Sequence, residues 1–306
     1  MAANAVDDYF ISVQGRPVIF DVSLNDTGDC PTLPYFTFSI TGGDEVNTNG
    51  GVSRAYFNYT GGTTTAKVNW GDGNIDDLII GINQHNYLDN LPKTITVYDI
   101  ANELESLYLN QTTIVNNITT YDIQNIPLIK RFHIQSSHLT GSILPIGVKP
   151  GLEELTIGGG TNYAVNGFPE GNITGSIPSL DAYPLLKRVH FNNNKFSGLI
   201  PKMNNHLQLK IYLIANTPFL NGSFESNTVS TDNMTIVFQQ CNFTQLEIEE
   251  SLQNIDLLPN IGSGDYVEVR NFSGATEVTY PILALNAGAV IAKNSIISKG
   301  ATFVMV

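Results

Sequence analysis

Basic residues are scarce in this 306-residue chain: 15 Lys and Arg stand against 28 Asp and Glu, a formal net charge of −13. That balance excludes a nucleic-acid partner, which needs a basic face, and works against adsorption to an anionic membrane. Long hydrophobic runs are missing too. No stretch approaches the ~20 apolar residues of a membrane span, so membrane insertion is not expected. Only two cysteines occur, Cys30 and Cys241. They fall in different predicted regions, so free thiols are expected rather than a disulfide, and nothing has the spacing of a Cys/His zinc site. The N-terminus, Met1 to Tyr9, lacks the basic and apolar regions of a secretory signal. No catalytic motif stands out, so the expectation is a protein that is not an enzyme and needs no cofactor.

What is abundant is Asn, Thr, Ser and Gly among short apolar stretches, a composition typical of β-rich extracellular proteins. Three lines repeat one scheme. Ile129-Lys130-Arg131-Phe132-His133-Ile134 runs into Leu139-Thr140-Gly141-Ser142-Ile143. Leu152-Glu153-Glu154-Leu155-Thr156-Ile157 is followed by Ile173-Thr174-Gly175-Ser176-Ile177-Pro178. Leu186-Lys187-Arg188-Val189-His190-Phe191 is followed by Asn194, Phe196, Gly198, Ile200 and Pro201. Two apolar residues flanking one outward residue make a short strand with one buried face. The Asn side chain can pair turn backbone that would otherwise be buried without partners. Weaker copies lie at Leu104–Leu109, at Ile211-Tyr212-Leu213 with Asn216, at Ile236-Val237-Phe238 with Cys241, and at Val267-Glu268-Val269. Their spacing is roughly 22 to 34 residues, against ~20–29 for leucine-rich repeats.

The pattern resembles the leucine-rich repeat, and its Thr-Gly-x-Ile-Pro tail resembles the plant-receptor variant. The resemblance implies a solenoid of stacked units, because one unit cannot cover its own apolar face. Ile95-Thr96-Val97 reads as a first strand. Residues 244–258 have helical periodicity, with Leu246, Leu252 and Ile255 on one face. A small-residue helix after residue 281 and a final strand, Thr302–Val306, would cap the open end.

Upstream, Ala5-Val6-Asp7-Asp8 and Val22-Ser23-Leu24-Asn25-Asp26-Thr27 resemble the opening of cadherin-like or VCBS-type modules of bacterial adhesins. Val68-Asn69-Trp70-Gly71-Asp72-Gly73 is similar to the PKD-type β-sandwich signature. The adhesin resemblance implies Asp7, Asp8 and Asp26 as candidate Ca²⁺ ligands; the same residues also read as turn and cap residues. Asp72-x-Asn74-x-Asp76 starts like a calcium loop but lacks its later Gly and Glu, so it reads as a solvated turn, and Trp70 as a core plug.

The expected fold is therefore mainly β with short helices: a β-sandwich over 1–93, a leucine-rich-repeat solenoid over 94–280 and a helix–strand cap over 281–306. Outward residues of such strands form the candidate binding face: Tyr108, Lys130, Arg131, His133, Glu153, Glu154, Thr156, Lys187, Arg188, His190 and Tyr212. Two readings of it stay open. One is a self-neutralising charge ladder that orders the repeats, and the other a recognition strip centred on Tyr108, His133, Thr156, His190 and Tyr212. A Gly-rich insertion, residues 158–171, reads as a projecting loop offering Tyr163 and Phe168 for contact.

By resemblance to Bacteroidota surface proteins, and with no export signal, the chain is expected to be a bacteriophage virion component. It would recognise a host cell-surface protein or glycan through the solenoid, alongside other virion subunits. The competing expectations are a secreted or cell-surface adhesin, and a virion decoration protein.

Overall fold

The computed structural model describes residues 36–40, 53–60, 67–87, 91, 93–98, 105–110, 128–135, 140–142, 149–158, 172–217, 219–228, 233–241, 243–270 and 285–305. Among these the chain is mainly β, with 18 strands and two helices. Asp7, Asp8, Asp26, Cys30, Tyr163 and Phe168 lie outside the described residues.

The first strands are β1 (Phe36–Ile40), β2 (Ser53–Thr60), β3 (Lys67–Asn69), β4 (Ile75–Asp77), β5 (Gly81–Tyr87) and β6 (Lys93–Tyr98). An antiparallel sheet in the order β1-β6-β3-β4 gathers four of them. Trp70 is buried here, its indole N–H donating to Asp76 Oδ2 at 2.7 Å and its carbonyl accepting from the Tyr87 hydroxyl at 2.8 Å. The β3–β4 turn has one strict requirement. Gly71 has φ +80°, and a Cβ there would sit 2.4 Å from the Thr94 carbonyl oxygen. Asp72 and Asp76 are held by internal bonds, Asp72 accepting from the Asn74 N–H at 3.0 Å and pairing with His85 at 2.7 Å.

Eight further strands line up parallel: β7 (Ser106–Asn110), β8 (Arg131–Gln135), β10 (Glu154–Gly158), β12 (Arg188–Asn192), β14 (Ile211–Thr217), β16 (Thr235–Cys241), β17 (Tyr266–Arg270) and β18 (Thr302–Met305). Antiparallel β2 and β5 extend this sheet beyond β7, giving ten strands. One expectation needs correction. Ile95–Val97 does not open the array, because β6 pairs with β1 and β3 and sets Val97 opposite Val68.

The parallel register puts Phe132, Leu155, Val189, Tyr212, Ile236 and Val267 in one buried row. Two residues on, Ile157, Phe191, Ile214, Phe238 and Val269 make a second. Between these strands the chain contributes β9 (Thr140–Ser142), β11 (Asn172–Ser176), β13 (Lys195–Leu199) and β15 (Phe219–Asn221), a second parallel sheet in the order β15-β13-β11-β9. Ile173, Phe196 and Leu220 are buried from this side, and Phe196 meets Phe191 edge-on at 5.6 Å.

The turns follow the amide logic. Asn194 donates to the Asn192 carbonyl at 2.9 Å and accepts from the Ile173 N–H at 3.3 Å. Cys241 serves similarly, its thiol lying 3.2 Å from the Gln239 carbonyl, and burial pushes that thiol up to about 12. The expected Asn216 is not in this slot. Thr217 is, opposite Cys241, while Asn216 and Asn193 occupy left-handed positions at φ 50° and 54°, which Asn tolerates.

Helix α1 (Gln245–Asp256) covers an edge of the second sheet. Glu247 accepts from the Gly222 N–H at 2.7 Å, Ser251 accepts from the Phe224 N–H at 2.9 Å, and Asn254 donates to the Phe224 carbonyl at 2.8 Å. Three side chains one turn apart thus take the place of a further strand, satisfying an edge that would otherwise invite pairing. Leu252 and Ile255 are buried, but Leu246 is exposed; Ile248, at i, i+4, i+7 spacing with them, packs inward instead. Helix α2 (Ala287–Ser298) buries Ala289, Ala292 and Ile296, and docks through Glu249, which accepts from Gln245 and from the backbone and amide of Asn286.

Those bonds, Gln245's foremost, hold the Glu249 carboxyl below its usual range. A lowered folded value means the stabilisation is present above the ordinary Glu value of about 4.3 and is lost as pH falls through the folded one. Urea unfolding at pH 7 and pH 3 should show the wild type losing stability on acidification. Glu249→Gln should be weaker at pH 7 with a flatter pH dependence. Glu247→Ala should cost about 1–3 kcal/mol through the lost cap and the unpaired Gly222 N–H.

Candidate binding face

Each repeat is pinned to the one before it by a shared acceptor. The Glu105 carbonyl accepts from the Lys130 and Arg131 N–H groups (2.7 and 3.0 Å), the Lys130 carbonyl from Glu153 and Glu154 (2.7 and 3.0 Å), and the Glu153 carbonyl from Lys187 and Arg188 (2.7 and 3.1 Å). The Lys187 carbonyl repeats this with Lys210 and Ile211 (2.8 and 3.0 Å). Backbone geometry therefore brings the charged pairs of successive repeats together at the start of each strand.

Their side chains interlock. Lys130 bonds Glu105, Lys187 bonds Glu153 at 3.0 Å, and Glu154 lies between Arg131 Nε at 3.4 Å and Arg188 Nε at 3.9 Å. Glu154 also meets His133 Nε2 at 3.1 Å. The ladder is thus present as geometry, though such part-exposed pairs contribute only about 0–1 kcal/mol each.

The central row follows from the register: Tyr108 opposite His133, His133 opposite Thr156, Thr156 opposite His190 and His190 opposite Leu213. Thr156 is buried between two half-buried imidazoles. Burial, joined by the charges of Arg188 and His133, pushes His190 down to about 4. His133 is lowered chiefly by burial, with Arg188 and Arg131 adding to it and Glu154 opposing. The His190 ring is therefore neutral near pH 7. The two rings stand two strands apart, about 10 Å.

Tyr212 is not on this face. It is fully buried in the inward row, its hydroxyl donating to the Pro201 carbonyl at 2.8 Å, and Leu213 takes the outward position. The displacement has a physical source. Ile211-Tyr212-Leu213-Ile214-Ala215 is apolar throughout, so no alternation distinguishes its faces. The downstream part of the face is accordingly apolar at Ile211, Leu213, Ala215 and Val237, with Ala215 and Val237 buried. Glu268 follows in the central row, accepting from Gln239 and Tyr266.

Further along β10 and β12, Gly158 stands opposite Asn192. A Cβ on Gly158 would lie 2.2 Å from Asn192 Oδ1, so the amide lies over the glycine. Asn192 was not marked as a site residue by the repeat scheme, and its only sequence signal is the Asn192-Asn193-Asn194 run. Among the described residues no group of three or more His, Cys, Asp or Glu could hold a metal ion, and no helix is long and apolar enough to cross a membrane.

Since His190 is depressed from an unfolded value of about 6.5, folding stability should be complete above that pH and decline as pH falls towards about 4. Imidazole NMR titration should place one ring near pH 4 in the folded protein. Replacing His190 with Gln should flatten the stability profile, and Glu154→Gln should lower His133 further. A His190 titrating at its ordinary value would contradict the buried row.

No family model matches the chain, and neither a curated protein nor a solved structure matches it.

Proposed function

We propose that the parallel strands from β7 onward form a leucine-rich-repeat solenoid, closed by α2 and β18 and preceded by a β-sandwich module, and that the chain is a non-catalytic binding protein. Its role in this reading is that of a bacteriophage tail or receptor-binding component. Its solenoid face docks on a host cell-surface partner, and its N-terminal module faces other virion subunits. One observation carries the reading: β8, β10 and β12 turn Arg131, Glu154, Arg188, His133 and His190 outward, alternating with the buried apolar Phe132, Leu155, Ile157, Val189 and Phe191. A solenoid of this kind can present such residues without disturbing the core. The virion assignment rests on the adhesin-like flank and the repeat resemblance, which is an argument by analogy.

The half-buried apolar pair Ile211 and Leu213 favours a second reading, in which the downstream part of the face seats a protein neighbour in the particle, as a decoration protein does.

Labelled protein should bind cells of a susceptible Bacteroidota strain saturably, and a triple Ser variant at Arg131, Glu154 and Arg188 should lose that binding while keeping its melting temperature. Unchanged binding by the triple variant would remove the solenoid face as the docking surface. Mass spectrometry of gradient-purified particles lacking the chain would remove the virion role.

A further inference from the structure

Two features of the outward face coincide. The first is charge. Among the described residues the ladder gathers Lys130, Arg131, Lys187 and Arg188 with Glu105, Glu153 and Glu154, one base more than acids. A locally positive patch on a chain of net charge −13 selects an anionic group. Arg131 and Arg188 flank Glu154, their Nε atoms at 3.4 and 3.9 Å from its carboxylate. Both side chains are well exposed, 47% and 40%. A planar guanidinium fork matches a carboxylate in two-point geometry.

The second feature is a cluster of unmade hydrogen bonds. Five buried side-chain polar atoms among the described residues have no partner, and three belong to this patch: Thr156 Oγ1, His190 Nε2 and Asn192 Oδ1. They come from facing positions on β10 and β12 and lie on the same outward side as Arg188, since residues 188, 190 and 192 alternate with the inward row. The other two, His206 Nδ1 and Asn221 Oδ1, lie off these two strands. Leaving such an atom unpaired costs about 1–3 kcal/mol, so three together mark a place built for an outside partner. Two of them accept or donate as neutral groups and the third is an amide carbonyl. That mixture suits hydroxyls, which both donate and accept, better than a second anion.

Resting on the docking role proposed above, we infer that β10 and β12 carry a subsite for a carboxylate-bearing sugar, a uronic-acid residue of a surface glycan. Arg188 takes the carboxylate, Thr156, His190 and Asn192 take ring hydroxyls, and Arg131 adds its field from the far side of Glu154. The three polar atoms are recessed among half-buried side chains, so seating the sugar turns the His190 and Asn192 side chains and leaves the strands in place.

The test is calorimetric titration of the full chain with oligouronates (galacturonate, glucuronate and mannuronate) and with the methyl ester of whichever binds. The oligouronate should bind, and esterification or Arg188→Gln should each weaken it about tenfold or more. Arg188→Lys should recover charge but only part of the affinity, and Arg131→Gln should cost less. Thr156→Val separates the site from mere packing. It removes an unpaired buried hydroxyl, so it should leave the melting temperature unchanged or raise it, yet weaken sugar binding. Equal affinity for the methyl ester, equal affinity for poly-glutamate, no binding by any oligouronate, or indifference to Arg188→Gln and Thr156→Val would each overturn the assignment. If oligouronates fail while Arg188→Gln still abolishes attachment to cells, only the sugar is wrong; if cell attachment is also unaffected, the docking role falls with it.

Discussion

The structure depends on a shared interior that no single repeat can close. Each repeat brings two or three apolar side chains, such as Leu155 and Ile157 or Val189 and Phe191, and these are covered by the neighbouring repeats and by the second sheet. The hydrophobic term, about 1.5–3 kcal/mol per fully buried aliphatic or aromatic side chain, is therefore collected only when strands stack in register. The bifurcated carbonyls at Glu105, Lys130, Glu153 and Lys187 set that register. A slip by one residue would turn Phe132, Leu155 and Val189 outward. Ends are the weak points of such an arrangement. At one, α1 side chains satisfy backbone a further strand would have met; at the other, β2 and β5 continue the sheet antiparallel.

Because register comes from the backbone and the interior, the outside is free to carry chemistry, and along the array it changes character. Over β8, β10 and β12 it is charged and histidine-bearing; from β14 on it is apolar at Ile211, Leu213 and Val237. Packing two imidazoles around Thr156 lowers both rings, and Glu154 opposes that shift only at His133, so one row holds two histidines in different electrostatic settings.

Much of this was legible in the residues because apolar-x-apolar spacing encodes a strand with one buried face, and the three strongest copies keep polar residues between the apolar ones. Lys130–Ile134, Glu153–Ile157 and Lys187–Phe191 therefore read out at the right register. Where alternation fails, so does the reading. Tyr212 was placed outward within an unbroken apolar run, although its hydroxyl is satisfied by the distant Pro201 carbonyl. Asn216 was given the amide's slot, which Thr217 fills, because left-handed and hydrogen-bonding asparagines look identical in sequence. Ile95–Val97 has strand character but no local mark of which sheet it joins, since pairing with Phe38 and Val68 is a long-range event. The unmade bonds at Thr156, His190 and Asn192 are invisible in principle, because they arise only when two strands meet.

The parallel, in-register stacking of β8, β10 and β12 is the claim on which face and function both rest, and cysteine cross-linking tests it directly. Neighbouring strands about 4.8 Å apart fall within disulfide reach, whereas positions two strands apart exceed it. In a background with Cys30 and Cys241 replaced by Ser, the pairs His133→Cys with Thr156→Cys and Thr156→Cys with His190→Cys should oxidise readily within one chain. The pair His133→Cys with His190→Cys should not. Ready closure of the outer pair, or failure of both adjacent pairs in protein that remains folded, would contradict the stacking.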